Sequence, residues 1–409
     1  MESKVPQSQS SEKNDQMKVI EILNTNKPAL LVENLFGIFR FNVHNNRLLP
    51  INKKMKFCCI FLTFLYITLF SAFLRISSAM IGTAKLVDML EEVPSVVILI
   101  QYVISAIRTS IFCNEKNMRI LTTVVDLDTK LHVDTNKNFY KKSRKMNLKV
   151  ILMVLVIHVI VTIIDLATDG DNIDMSKIVV LPIYLEQSLE ISVFCLLIMM
   201  LTRRLHIINN YLAKFIDEND GIKSSPIFIV GEKKDGPEEF NLIGRSSGDN
   251  TKIRDLAVTY DIIGELCTLV NEVFNFQIFM TLGSTFTYVV ITIWSALYYY
   301  KNGNNSMALV TIILWCITAV CLIAFMSMTC EQLLLARTKT KILINKIIMD
   351  YDLPKTMRVQ AKAFMELVDA WPLRIFIYDM FSVDITLMLK YISVATTYLI
   401  VIIQISHFV

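Results

Sequence analysis

Residues Ile385 to Ile405 read ITLMLKYISVATTYLIVIIQI. The stretch is long enough to cross a hydrocarbon core of roughly 30 Å as a helix. Lys390, Thr397 and Gln404 stand seven residues apart. At about 100° per residue they return to nearly one face, and Ser393 leans onto it. Lipid offers such groups no partners. The stripe therefore either packs against other helices or lines water.

The composition places this stretch in a membrane. Of 409 residues, 54% are hydrophobic and 19% charged, and the mean hydropathy is +0.49. Six further apolar windows precede it, so the predicted spans are 57–80, 93–113, 149–168, 177–201, 275–300, 306–329 and 383–405. The fold class expected is all-α and polytopic, with seven transmembrane helices. No cleavable signal is expected, because the first 55 residues are polar and the first apolar run, near Phe57, can itself target the chain.

Lysine and arginine alternate across the spans. Residues 1–56 hold nine, 81–92 hold one, 114–149 nine, 169–177 one, 202–274 nine, 301–305 one and 330–382 eight; none follows 405. By the positive-inside rule the amino terminus is cytoplasmic and the carboxyl terminus extracellular. The acceptor Asn304-Asn305-Ser306 then falls in a short external loop. This orientation is the reverse of a G-protein-coupled receptor. A cytoplasmic segment (1–56) would precede helices 1–6 (57–329), a cytoplasmic helical anchor region (330–382), helix 7 (383–405) and an external tail (406–409). Within the loop 202–274, residues 217–252 are rich in Gly, Ser, Pro and charge and read as a flexible insert. Arg254–Phe274 and Glu331–Tyr351 keep helical spacing and extend spans five and six, Pro354 breaks the pattern, and Lys355–Trp371 reads as a further amphipathic helix.

Enzyme chemistry finds no support. The metal, phosphate and nucleophile motifs are missing, the five histidines are scattered, and the eight cysteines sit in or beside apolar segments as small hydrophobes. Nothing calls for a cofactor, a metal ion or a nucleic-acid partner; the surroundings expected are membrane lipid.

Ionisable groups inside spans are costly, about 2.5–3.5 kcal/mol each at the centre, and point to function. Orientation puts Arg75, Asp165 and Glu186 in outer halves, Glu190 near the midplane and Arg108 at the cytoplasmic end, where it can snorkel. Internal pairing, Arg75 with Asp165 or Glu186, is one account of them. The other is a small-molecule pocket opening outward between spans one to six. Tyr102, His158, Tyr184, Glu186, Gln187, Glu190, Trp294, Tyr298 and Trp315 are its candidate lining, with Gln101, Thr162 and Tyr288 nearby.

Thr397-Tyr398, five apolar residues and Gln404 resemble the T-Y-(five hydrophobic)-Q-F signature of insect gustatory receptors. Arg374 to Asp384 is similar to that family's approach to its last span. Ile405 stands where the family has Phe, and Leu399 stands where sugar receptors carry an acidic residue, which favours a bitter-type or divergent member. The resemblance implies a tastant-gated, poorly selective cation channel in the plasma membrane of a sensory neuron. It also implies a homo- or hetero-tetramer whose seventh helices surround the pore. Lys390, Ser393, Thr397 and Val401 would then line it, and Gln404 with Ile405 would form a narrow ring that blocks ions by dewetting. Four Lys390 ammonium groups would repel cations unless a carboxylate such as Asp384 neutralises them. The alternatives are an odorant-receptor-like channel subunit, a metabotropic receptor and a transporter.

Overall fold

The computed structural model describes residues 7–44, 47–80, 85–133, 137–168, 175–220, 249–301 and 306–408. These form ten α-helices and two short antiparallel hairpins. α1 (Gln7–Leu35) is followed by β1 (Asn42–His44) and β2 (Arg47–Leu49). Then come α2 (Lys53–Met80), α3 (Lys85–Ile107) with a π-type turn at Arg108–Phe112, α4 (Asn114–Lys130) and α5 (Lys137–Thr168). The chain continues through α6 (Met175–Asp220), α7 (Asp249–Lys301), α8 (Ser306–Met349) and α9 (Lys355–Ala370). β3 (Phe376–Ile377), β4 (Phe381–Ser382) and α10 (Ile385–Phe408) complete it. Most of the insert 217–252, and Asn304 with Asn305, lie outside the described residues.

Six helices among the described residues are long and apolar enough to cross a bilayer, and α10 carries a shorter fully described apolar stretch, Ile385–Val401. The helix of α10 itself runs for 24 residues, about 36 Å at the helical rise. The other helices outrun their apolar windows. α6, α7 and α8 have 46, 53 and 44 residues, more than twice the length a hydrocarbon core of about 30 Å requires. In α7 and α8 no proline marks the point where apolar sequence gives way to amphipathic sequence, so the backbone ladder continues past it. Pro354 follows the end of α8 and precedes α9.

α6 is the axis of the bundle: 78% of its apolar window is buried, against 17% for α2, whose Phe57, Phe61 and Phe64 face outward. α6 packs most extensively on α8, and α7, α8 and α9 join below them in one continuous core. All eight cysteines are free, and Cys321, unlike the five buried ones, faces outward from α8.

The polar amino-terminal segment is part of this packing. α1 lies along α5, and residues 36–41 turn into the bundle between α3, α4 and α7. The turn needs Gly37, whose φ of +76° disfavours side chains and where a Cβ would meet Leu62 at 2.9 Å. Arg40 then clamps Glu33, Nε to Oε2 at 2.9 Å and Nη2 to Oε1 at 2.7 Å, while its guanidinium lies 4.8 Å from the Phe274 ring centroid. Both partners are buried, so each offsets the other's desolvation.

At the far end of the chain, the non-helical link 371–384 seats α10. Ile377 pairs with Phe381, and the tight turn between them places Tyr378 and Asp379 at positive φ. Tyr378 N–H donates to Asn275 Oδ1 at 3.0 Å and Val383 N–H to Ile375 O at 2.8 Å. The start of the seventh helix is thereby tied to α7.

Candidate functional site

α5, α6, α7 and α8 bring four aromatic rings together. His158 and Trp315 meet edge to face with centroids 5.4 Å apart, Tyr184 lies 5.6 Å from Trp315, and Tyr288 lies 5.6 Å from Tyr184. The Trp315 Nε1–H donates to Asp165 Oδ2 at 3.2 Å, and His158 Nε2 lies 3.0 Å from Leu181 O. Tyr184, Gln187, Ser188, Thr285, Tyr288 and Trp315 wall a narrow cavity of about 30 Å³ together with Ile98, Thr318, Ala319 and Leu322. By that measure it holds about two waters. A larger guest enters only by turning these side chains aside.

Beneath the cavity is a hydrogen-bonded floor. Gln187 Nε2 donates to Ser284 Oγ at 2.9 Å and to Gln101 Oε1 at 3.2 Å. Ser284 Oγ–H donates to Gln101 Oε1 at 2.8 Å, and Gln101 Nε2 to Thr281 Oγ1 at 2.9 Å. Four buried polar groups from three helices satisfy one another, which fixes the rotation of α3, α6 and α7 at this level. Deeper still, Ser105 Oγ–H donates to Glu190 at 2.5 Å, and Glu186 lies beside Glu190 with its Oε1 unpartnered.

The predicted lining is thus only partly gathered. Tyr184, Gln187 and Trp315 line the cavity, and His158 stands behind Trp315 as a second layer. Glu190 is buried about one turn below Gln187. Glu186, one residue before Gln187, is buried at the level of the floor but about 100° around α6 from it. Tyr102 faces elsewhere: its hydroxyl donates to Phe36 O at 2.8 Å and its ring packs on Tyr66. Trp294 is half-buried and is not in the cavity wall. The side chains of Arg75, Tyr298 and Ile405 lie outside the described residues, so the pairing of Arg75 falls there too. Arg108 Nη2 donates to Glu272 O at 3.1 Å and the guanidinium lies over Phe276. Thr281, Ser284, Thr285 and Tyr288 did have a signal of their own. They are spaced as one polar stripe, i, i+3, i+4 and i+7, inside an apolar span.

The seventh helix has a packed side and an open one. Tyr391 and Tyr398 meet Phe286 of α7 at 6.2 and 5.3 Å. Lys390, Ser393, Thr397, Val401 and Gln404 are all exposed, and by helical geometry they occupy a side roughly opposite the half-buried Leu387, Met388, Tyr391, Ala395 and Leu399. Thr397 Oγ1 is satisfied within the helix, by Ser393 O at 2.9 Å. Asp384 does not reach Lys390. It caps α10, accepting from Thr386 N–H at 3.0 Å and Leu387 N–H at 3.2 Å through Oδ1 and from Ser382 Oγ–H at 2.7 Å through Oδ2.

The chain matches the family model for 7tm chemosensory receptors over residues 27–407. Its fold is similar to the insect olfactory receptor OR5 of Machilis hrabei, with a TM-score of 0.65 and 10% identity, covering 95% of this chain and 99% of that one. The same receptor in complex with eugenol gives a TM-score of 0.53 and 12% identity over 95% and 99% of the two chains. Among curated proteins none matches.

Proposed function

Because this chain belongs to the 7tm chemosensory receptor family, we propose that it is a taste-type receptor: a tastant-gated, non-selective cation channel. The cavity between α3, α6, α7 and α8 takes the ligand, and α10 of each subunit faces the pore. The amino terminus and the lower ends of α6 to α9 are cytoplasmic, and the assembly is a tetramer, alone or with other receptor subunits, in the plasma membrane of a sensory neuron. A small organic molecule is the ligand class, by analogy with the eugenol bound to the Machilis receptor.

One observation carries the reading. On α7, Thr285 and Tyr288 face the cavity, while Phe286, between them in sequence, packs on Tyr391 and Tyr398 of α10. A guest that displaces Tyr288 therefore acts on the helix that holds α10. It needs only to favour the wider arrangement for an apolar constriction to wet. The exposed Lys390–Gln404 face supports α10 as the conducting element, since four copies would supply a polar lining. The odorant reading is favoured by the fold of the Machilis receptor, and the Thr397-Tyr398…Gln404 signature favours taste.

Whole-cell recording from cells expressing the chain, with alkaloids, glycosides and sugars set against volatile odorants, tests the assignment. Ligand-evoked current that thiol reagents alter at T397C and Q404C but not at Y391C is the expected result. Currents untouched at 397 and 404 would remove α10 from the pore.

A further inference from the structure

α5 begins with a cluster of positive charge that the receptor reading leaves unused. Lys141, Lys142, Arg144, Lys145 and Lys149 are all exposed. Among the described residues none of them forms an ion pair, although surface lysines elsewhere do, as Lys116 does with Glu272 and Lys341 with Asp369. The four lysines fall within an arc of about 100° and over about 12 Å of helix, with Arg144 about 60° outside that arc. The opposite side of α5 is committed to packing. Tyr140 donates to Asp128 Oδ2 at 2.8 Å, Ser143 meets Arg203, and Asn147 Nδ2 donates to Thr25 O at 3.2 Å.

Further along the same stripe the helix changes character. Leu152, Val156, Val159 and Ile163 continue directly beyond the lysines, all exposed and all apolar. The outward face of α5 thus passes from cationic to lipid-compatible near Lys149. That puts the charges at headgroup level, and four ammonium groups this close match several negative charges on one headgroup better than one.

We propose that this end of α5 binds the headgroup of a multiply phosphorylated phosphoinositide in the cytoplasmic leaflet. The side of the membrane rests on the orientation proposed above; the binding itself requires neither tastant nor conductance. Lysines at a membrane surface each contribute about fivefold to the affinity for anionic lipid.

The test is binding of a fluorescent short-chain phosphatidylinositol 4,5-bisphosphate to the purified full-length chain, against a phosphatidylserine of the same chain length and label. The bisphosphate is expected to bind at least tenfold tighter. K142Q/K145Q should lose about 25-fold, five for each charge, while K142R/K145R keeps most of the affinity. Equal binding of the two lipids would overturn the proposal even if the glutamine variant fails to fold. So would an unchanged bisphosphate affinity in a well-folded K142Q/K145Q. A chain that conducts but shows no lipid preference would refute this site alone, and one that binds the lipid but never conducts would refute the channel alone.

Discussion

The indole N–H of Trp315 on α8 donates across to the Asp165 carboxylate on α5, and the same ring packs on His158 and Tyr184. One side chain therefore joins three helices at the cavity wall. Trp315→Ala is expected to raise the ligand EC50 about thirtyfold, the equivalent of roughly 2 kcal/mol for truncating a central aromatic. Trp315→Phe keeps a ring but loses the donor, so its main effect should be on stability, about 1–3 kcal/mol. Concentration–response curves at matched surface expression check the first, and thermal unfolding in detergent the second. An unchanged EC50 in the alanine variant would place the ligand elsewhere.

Arg204 and Asp128 form a two-pronged pair between α6 and α4, Nε to Oδ1 and Nη2 to Oδ2 both at 2.6 Å, with Tyr140 as a third donor. Both are almost wholly buried. Arg204→Met leaves a carboxylate without its countercharge and should cost roughly 3–5 kcal/mol. Removing both charges, in R204M/D128L, should recover part of that loss, the remainder reflecting the buried Tyr140 hydroxyl left without its acceptor. The melting temperature of each detergent-purified variant reads the cycle. Additive losses would mean the two residues are not energetically paired.

The membrane architecture was legible because it depends on one-dimensional quantities. Apolar length marked the spans, and unbroken helical spacing extended α7 beyond its apolar part at the amino-terminal end and α8 at the carboxyl-terminal end, short of Pro354. What a linear reading lacks is azimuth. Gln101 and Tyr102 are neighbours at one depth, yet their side chains leave α3 about 100° apart. Gln101 meets Thr281 and Ser284 on α7, whereas Tyr102 turns to the amino-terminal segment. Depth alone put Tyr102 in the cavity; packing took it out. The insertion of residues 36–41 was hidden for a related reason. Glu33 and Arg40 pair across the Gly37 turn, and no periodicity announces a contact that only the turn creates.

Asp384 gives a pH-dependent prediction. Burial raises its pKa, but hydrogen bonds from the Thr386 and Ser382 hydroxyls and from the Leu387 and Thr386 N–H groups outweigh that and hold it below the usual aspartate value. A carboxyl depressed in the folded state stabilises fully above its unfolded pKa, about 3.9, and loses that contribution as pH falls through the lower folded value. The cap is therefore constant from pH 5 upward and fails in acid. Asp384→Ala should cost about 1 kcal/mol at neutral pH. Asp384→Asn keeps an acceptor, so it should melt closer to the parent at pH 7 and lose less stability than the parent between pH 5 and 3. Parallel acid declines in parent and D384N would show that the cap does not titrate.

Gly264 marks where the lower end of α7 is fastened to the link before α10. A Cβ at that position would stand 2.5 Å from Cγ and Cδ2 of Trp371, and those are ring atoms at the base of the side chain rather than a flexible tip. Trp371 has little freedom to yield: its Nε1–H donates to Asp261 Oδ1 at 2.7 Å, and its carbonyl accepts from Tyr260 at 3.0 Å. Gly264→Ala gains helix propensity of up to about 1 kcal/mol, but it must expel the indole and break the Asp261 bond. Overpacking of this kind costs roughly 1–3 kcal/mol, so the net expectation is a lower melting temperature. The compensating change is specific. Trp371→Leu in the Gly264→Ala background frees the space and should restore part of the loss, whereas Trp371→Leu alone only removes packing and a hydrogen bond. A G264A chain as stable as the parent would mean that the link at 371 shifts freely, and α10 would then not be held through this junction.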